Sequence, residues 1–248
     1  MSSHTKKAMI FAAGLGTRLR PLTDTMPKAL VEVGGEPLIK RVILRLKEAG
    51  FTRVVVNVHH FADQIVDYLA AQQGFGIDVR ISDERSQLLE TGGGIKHAAS
   101  LFDPTSPILI HNVDILSNVD LRRFYDSAQG DATLLVSPRQ TKRYLLFDAA
   151  RDCRLMGWTN IDTHVVRSPY ADLQVDACEP YAFSGIHVFS PHLFPHFDEM
   201  PDRFGIIDFY LRYCERCSIH GYVKRDLRLM DVGKMETIAQ AEEFLKTL

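Results

Sequence analysis

The feature that most constrains this chain is a six-residue apolar run, Ala8-Met9-Ile10-Phe11-Ala12-Ala13, that stops on Gly14-Leu15-Gly16. An apolar run without polar alternation is the pattern of a strand buried on both faces, and such a strand needs helices packed on either side of it. The following residues supply them. Glu36 to Ala49 sets Leu38, Ile39, Val42, Ile43, Leu46 and Ala49 on one helical stripe, with Pro37 suited to the first turn and Gly50 to the stop. Arg53 to Val58 then reads as a strand, Phe61 to Gln72 as a helix, Ile77 to Ser82 as a strand and Gly93 to Leu101 as a helix. Pro107 to Asp114 is a fourth strand with a carboxylate at its C-terminal end, followed by a helix near Leu121 to Gln129 and a strand over Asp131 to Val136. This alternation predicts a three-layer α/β/α fold around a mostly parallel sheet. Such sheets bind ligands beyond the C-terminal ends of their strands, so the loops at those ends are where function should lie.

The second half is less regular, with β-like segments near Tyr144 to Phe147, Arg154 to Trp158 and Tyr181 to Phe189. A helix near Asp208 to Arg216, a strand near His220 to Val223 and a closing helix over Glu236 to Leu245 complete it. No low-complexity tract divides the chain, which predicts a single domain over residues 1–248. The balance of 29 Lys+Arg against 31 Asp+Glu, a net charge of -2, argues against a protein devoted to nucleic acid. No apolar run approaches the ~20 residues of a membrane span, and the stretch after Met1 to Lys7 is too short for a signal peptide, so no membrane partner is expected and the cytoplasm is the default. Four cysteines do not make a disulfide framework. Cys214-x-x-Cys217 has no second Cys/His pair at finger-like spacing, which favours reduced, partly buried thiols. The ten histidines show no metal-binding spacing either.

The strongest chemical signal is Ala12-Ala13-Gly14-Leu15-Gly16-Thr17-Arg18-Leu19-Arg20-Pro21, followed by Pro27-Lys28. Glycines directly after a buried strand let backbone approach a ligand closely and leave N–H groups pointing into the loop. Arg18, Arg20 and Lys28 add cationic donors for phosphate oxygens. A dinucleotide fingerprint would need glycine at position 19, where this chain has leucine, and a P-loop would need a Lys-Ser/Thr pair after its second glycine; both are excluded, and an oxidoreductase reading with them.

These residues resemble the signature loop of the sugar-phosphate nucleotidyltransferases, the nucleoside-diphosphate-sugar pyrophosphorylases. The similarity continues through Leu89-Glu90-Thr91-Gly92-Gly93-Gly94-Ile95, Asn112-Val113-Asp114, Phe183-Ser184-Gly185-Ile186 and Asp231-Val232-Gly233. The Glu-Thr-Gly-Gly-Gly-Ile variant most resembles the small N-acetylmuramate-1-phosphate uridylyltransferases. The resemblance implies a sheet of nucleotide-diphospho-sugar transferase type, with residues 1–137 as a nucleotide-binding half and 138–248 as an acceptor-binding half. It implies nucleotidyl transfer from a nucleoside triphosphate to a sugar 1-phosphate, with pyrophosphate leaving, and Mg²⁺ held by Asp114 and Asp231. Lys28 would contact the phosphates near the reacting α-phosphate and Arg18 the leaving pyrophosphate. Ala12, Ala13, Gly14, Gly16 and Thr17 would offer contacts to nucleotide, Thr91 and Gly92 would close over the base, and Glu84 would accept from a base N–H. The alternative for Glu84 is an exposed charge within Ser82-Asp83-Glu84-Arg85-Ser86, for Asp231 a cap on the closing helix, and for Arg20 simple solvation.

Two departures bear on the acceptor. The fourth strand ends Asn112-Val113-Asp114 where many relatives have Gly-Asp, and Phe183-Ser184-Gly185 stands where many carry Asn-x-Gly. The acceptor side is thus expected to be more apolar, drawing on Asn112, Trp158, Phe183 and Gly185. UTP with an amino-sugar 1-phosphate is the implied substrate pair; mannose-1-phosphate guanylyltransfer, phosphocholine cytidylyltransfer and a non-catalytic nucleotide-sensing subunit on the same fold are the alternatives. The oligomeric state, homo-oligomer or monomer, is left open. No hexapeptide-repeat tail follows the closing helix, so no β-helical acyltransferase domain is expected.

Overall fold

The computed structural model describes residues 5–248; Met1 to His4, which enter the targeting expectation above, lie outside the described residues. In chain order the first half comprises β1 (Lys6–Phe11), β2 (Glu32–Val33), β3 (Glu36–Pro37), α1 (Leu38–Glu48), β4 (Phe51–Val58), α2 (Ala62–Ala71), β5 (Asp78–Asp83), α3 (Glu90–Ala98), β6 (Ile108–Asn112), β7 (Ile115–Ser117) and α4 (Leu121–Asp126). The remainder comprises β8 (Ala132–Ser137), β9 (Arg143–Asp148), β10 (Arg154–Asn160), β11 (Val165–Arg167), β12 (Glu179–Phe189), α5 (Ile206–Tyr213), β13 (Ile219–Val223), β14 (Leu229–Asp231) and α6 (Glu236–Leu245).

The main sheet runs β11-β10-β13-β8-β12-β6-β1-β4-β5, with β9 bridging β10 and β12. Its β6-β1-β4-β5 side is parallel throughout, as the alternation with helices requires. Beyond β6 the sheet is mixed: β12 runs antiparallel to β6, β8 and β9, and only β13 and β8 pair in parallel. The switch comes where helical crossovers stop, because the β9–β10 connection is short enough to return the chain antiparallel.

The buried strands feed two cores. On β1, Ala8 and Ile10 face one way and Met9 the other; on β4, Val54, Val56 and Val58 oppose Val55. The first set packs under α1, α2, α4 and α6 through Leu38, Ile65, Phe124 and Ala241. The second packs under α3 and α5 through Ile95, Phe209 and Tyr210. This alternation with period two is what makes the molecule three-layered. No helix among the described residues is long and apolar enough to cross a membrane.

Three boundaries differ from the sequence expectation. α3 begins at Glu90 rather than Gly93, so Gly92 also lies inside it. The fourth strand stops at Asn112, so Asp114 sits in the turn between β6 and β7. Asp231 ends β14, five residues before α6 begins, and is not that helix's cap.

The core beneath α5 contains buried polar groups without hydrogen-bond partners, the Tyr210 hydroxyl and His187 among them. His187 on β12 is buried, meets the Tyr210 ring edge-on at 5.6 Å, and has no hydrogen-bond partner on either ring nitrogen. Burial alone drives its pKa down from 6.5 to about 3. The imidazole is therefore neutral when folded but takes a proton when unfolded below about pH 6.5, so its contribution to stability is complete above that pH and is lost as pH falls toward 3. The variant His187→Leu should lose less stability than the native protein between about pH 7 and about pH 5, read by thermal unfolding. Parallel losses in the two proteins would show that His187 does not titrate in this way.

Candidate active site

At the C-terminal end of β1 the chain passes into the Ala12–Gly16 loop, where Ala12 and Ala13 are buried. The Ala12 N–H donates to Asn57 Oδ1 at 2.7 Å, and Asn57 Nδ2 donates to Glu84 Oε1 at 2.7 Å. The second Glu84 oxygen accepts the Leu89 N–H at 3.3 Å, while His59 Nδ1 lies 2.7 Å from the Glu84 carbonyl oxygen. Three neighbouring strand ends, β1, β4 and β5, are thereby tied together by side chains. Glu84 is only 1% exposed, so the alternative of a solvated charge is corrected; burial raises its pKa, opposed by the hydrogen bonds from Asn57 and Leu89. The charged run around it hid this, because Glu84 continues β5 by one residue, its N–H donating to the Val58 carbonyl at 2.8 Å, and so turns inward beside Asn57.

Gly16 adopts a φ of +63°, and a Cβ there would lie 2.9 Å from Thr23 Cγ2. Its carbonyl accepts from the Leu19 N–H and the Thr23 hydroxyl, both at 2.8 Å, which curls Thr17–Leu19 into a single 3₁₀ turn. Arg20 points outward to Asp24 at 3.2 Å, the solvated alternative, whereas Lys28 is turned inward and nearly buried.

The loop and the strand ends enclose a cavity of about 560 Å³. Of the residues singled out from sequence, Ala12, Ala13, Gly14, Gly16, Thr17, Arg18, Lys28, Glu84, Thr91, Asn112 and Asp114 line it. Gly14 has open space where a Cβ would point. Gly185, with φ +77°, stands behind the wall: a Cβ there would lie 2.6 Å from Asn112 Nδ2. Trp158 and Phe183 are not among the lining residues. The Trp158 ring lies on β10 beneath the Arg167 guanidinium at 5.8 Å, and Phe183 packs toward His187 at 5.6 Å.

Gly92 is likewise not a lining residue. The glycines of α3 exist for packing: a Cβ on Gly92 would lie 2.2 Å from the Phe204 ring, and one on Gly93 2.2 Å from the Asp202 carbonyl oxygen. The N–H groups of Gly92 and Gly93 donate to the Phe204 carbonyl at 2.9 and 3.2 Å, and the Ile206 N–H donates to Thr91 Oγ1 at 2.9 Å. The start of α3 is thus clamped to the segment leading into α5, and helix propensity is sacrificed to close approach.

Opposite the glycine loop lie the two acids. Asp114 and Asp231 are 117 positions apart (231 − 114), yet the antiparallel β7–β14 ribbon sets Asp231 across from Ile115, and the Val232 N–H donates to the Asp114 carbonyl at 2.9 Å. The Lys28 ammonium pairs with Asp114 and stands 4.0 Å from Asp231. Arg18 reaches the same place, its Nη2 lying 2.9 Å from where a Gly233 Cβ would be. Desolvation and then the charge of Asp114 push the Asp231 carboxyl above the usual range, opposed by Lys28, Arg18 and Arg139. Asp114 and Asp231 are the carboxylates here that could hold a cation, beside the Lys28 ammonium. Among the described residues no cluster of three or more His, Cys, Asp or Glu side chains offers a complete protein-only metal cage.

Two residues of this site escaped the sequence reading. Asn57 carried a signal, a lone amide near the end of an otherwise apolar strand. Arg139, which acts on Asp231 from beyond β8, carried none.

This fold and loop point to one family. The family described as nucleotidyl transferase matches over residues 7–144, more than half of the chain, and the chain belongs to it. It is similar to the N-acetylmuramate alpha-1-phosphate uridylyltransferase of Caulobacter vibrioides, 53% identical over 116 residues that cover 46% of this chain and 48% of that protein. The protein of the same description from Neisseria meningitidis is 44% identical over 122 residues, covering 49% of this chain and 52% of its own length. The chain matches about half the length of these relatives. The fold alone is shared with the inositol-1-phosphate CTP transferase from T. maritima, with a TM-score of 0.77 at 13% identity over 98% of this chain and 95% of that one.

Two substitutions test the supporting geometry. Gly93→Ala gains about 1 kcal/mol of helix propensity but drives a methyl into a backbone oxygen, so the net effect should be a loss of about 1–3 kcal/mol in chemical denaturation. An unchanged or raised midpoint would contradict the packing role. Asn57→Ala strands the Ala12 N–H and should cost about 1–3 kcal/mol, whereas a neutral result would mean that amide finds another partner.

Proposed function

We propose that this protein transfers a nucleotidyl group from a nucleoside triphosphate to a sugar 1-phosphate, with UTP and an N-acetylmuramate-type amino-sugar 1-phosphate as the preferred pair. The observation that carries this is that Lys28, Asp114 and Arg18 line one cavity together with the Ala12–Gly16 loop, with Asp231 standing 4.0 Å from the Lys28 ammonium. In the proposed reaction an oxygen of the acceptor phosphate attacks the α-phosphorus in line. A new P–O bond forms, the α–β bridging bond breaks, and its electron pair leaves on pyrophosphate. The nucleophile is already anionic, so no base is needed, and positioning together with charge neutralisation does the work.

Each side chain then has a task. The loop amides and small side chains at Ala12 and Ala13 admit the base and ribose, and the Asn57–Glu84 pair holds that wall rigid. Lys28 lies where it would neutralise charge building on the reacting phosphate, and Arg18 where it would hold the departing end. Asp114 and Asp231 suit Mg²⁺, which takes one or two carboxylates and completes its shell with phosphate oxygens and water. Bound there, that ion would screen the triphosphate and polarise the α-phosphate. Residues 138–248 are read as the acceptor half of one domain. A reaction that consumes nucleoside triphosphates supports a cytoplasmic location.

The test is pyrophosphate release across a panel of nucleoside triphosphates and sugar 1-phosphates, with and without Mg²⁺. Turnover is expected to be greatest for UTP with an amino-sugar 1-phosphate and to vanish on chelation. Turnover only with GTP or CTP would reassign the base, and tight nucleotide binding without any turnover would make the protein a sensor. Lys28→Ala and Asp114→Asn should each reduce turnover by about 10²–10³-fold in folded protein. Near-native rates in both would remove the assigned roles.

A further inference from the structure

We propose that Arg203 is a positioning residue for the nucleotide: by gripping Glu90 it holds the cavity wall at the start of α3 in the strained shape that receives the base. This rests on the nucleotidyl-transfer reading above. Among the described residues that line the cavity, only Gly16 and Glu90 have a positive φ, and Glu90, at +63°, is the one with a side chain. A Cβ makes the left-handed region unfavourable, and a residue stays there only where its surroundings enforce it.

Here the enforcement comes from one segment, Asp202 to Ile206. The Leu89 carbonyl, just before Glu90, accepts the Phe204 N–H at 3.2 Å, and the Thr91 hydroxyl, just after it, accepts the Ile206 N–H at 2.9 Å. Between these two bonds the Glu90 side chain is held by Arg203, whose Nε and Nη2 both reach Oε1, at 3.0 and 2.9 Å. The pair is half exposed, so its attraction alone is weak. Its direction comes from the anchoring of the arginine: the adjacent Phe204 is buried, its ring 5.5 Å from Phe197 and 6.4 Å from Phe209.

Charge decides what this wall faces. The cationic side chains that line the cavity are Arg18 and Lys28, and Lys28 is paired with Asp114. The wall at Glu90 instead adds the Glu84 carboxyl, whose Oε2 accepts the Leu89 N–H at 3.3 Å. An anionic triphosphate is drawn toward Lys28 and away from the two glutamates, which leaves the uncharged base for their wall. Arg203 is not among the lining residues, so it acts on the base through Glu90 and the shape of that wall.

The test is a double-mutant cycle on UTP affinity, read by calorimetry with UTP and Mg²⁺ and no acceptor, so that turnover is not required. In Arg203→Ala the wall spends part of its time outside the left-handed region, and Kd for UTP should rise about 3- to 10-fold as the competent fraction falls. Glycine takes the same φ without a Cβ penalty, so Glu90→Gly should bind UTP within about twofold of the native protein. Adding Arg203→Ala to Glu90→Gly should then weaken binding no further. A native Kd in Arg203→Ala would overturn the proposal, and so would an equal rise in both backgrounds, which a direct contact between Arg203 and the nucleotide would give. In steady state, Arg203→Ala should raise KM for UTP while kcat and KM for the acceptor stay within about twofold; a fall in kcat alone would also overturn it. A native protein that binds UTP and transfers nothing would count against the reaction while leaving the cycle readable, whereas one that binds no nucleoside triphosphate would overturn both.

Discussion

Two carboxylates from opposite ends of the chain face one ammonium group, and the rest of the molecule can be understood as what holds them there. Burial and then the charge of Asp114 raise the Asp231 pKa, and Lys28, paired with Asp114 and 4.0 Å from Asp231, opposes that shift. A fold tolerates such an arrangement where a ligand will complete the balance, because unpaired like charges are costly and their strain concentrates at functional sites. The β7–β14 ribbon enforces the approach through backbone hydrogen bonds, so neither acid can relax away without breaking main-chain pairing.

The remaining architecture serves the same corner. Parallel strands end on one edge of the sheet, and residues at or next to those ends, Phe11, Asn57 and Asn112, line the cavity. Asn57 satisfies the Ala12 amide and Glu84 together, so the glycine loop starts from a rigid point. At the start of α3, backbone contacts to the Phe204 carbonyl join the first half of the chain to the second. The mixed sheet adds an antiparallel β12 whose interruption at Gly185 presses against Asn112 and frees the Phe183 carbonyl for Arg139.

What the sequence reveals follows the range of the forces involved. β1 and α1 were legible because burial periodicity is local: Leu38, Ile39, Val42, Ile43 and Leu46 declare their stripe without knowledge of any neighbour. The Gly14–Lys28 loop was legible because its residue types imply phosphate chemistry wherever they fold. The start of α3 at Glu90 is hidden from the sequence because propensity opposes a helix through the glycines, while the decisive contacts come from Asp202 and Phe204, more than a hundred residues later. The pairing of Asp114 with Asp231 came only through family resemblance, since no local pattern reports a ribbon closed across that distance. Trp158 drew attention as a lone aromatic, but its place on β10 against Arg167 depends on strand order, which composition does not encode.

In the proposed reaction the two acids share one divalent ion with a bound triphosphate. A crystal structure with Mn²⁺ and a non-hydrolysable UTP analogue tests it most directly. Anomalous density between Asp114 and Asp231, with an oxygen of each at about 2.1 Å and a phosphate oxygen completing the shell, is the predicted result. A metal bound elsewhere, or a triphosphate seated with neither carboxylate in contact, would contradict it.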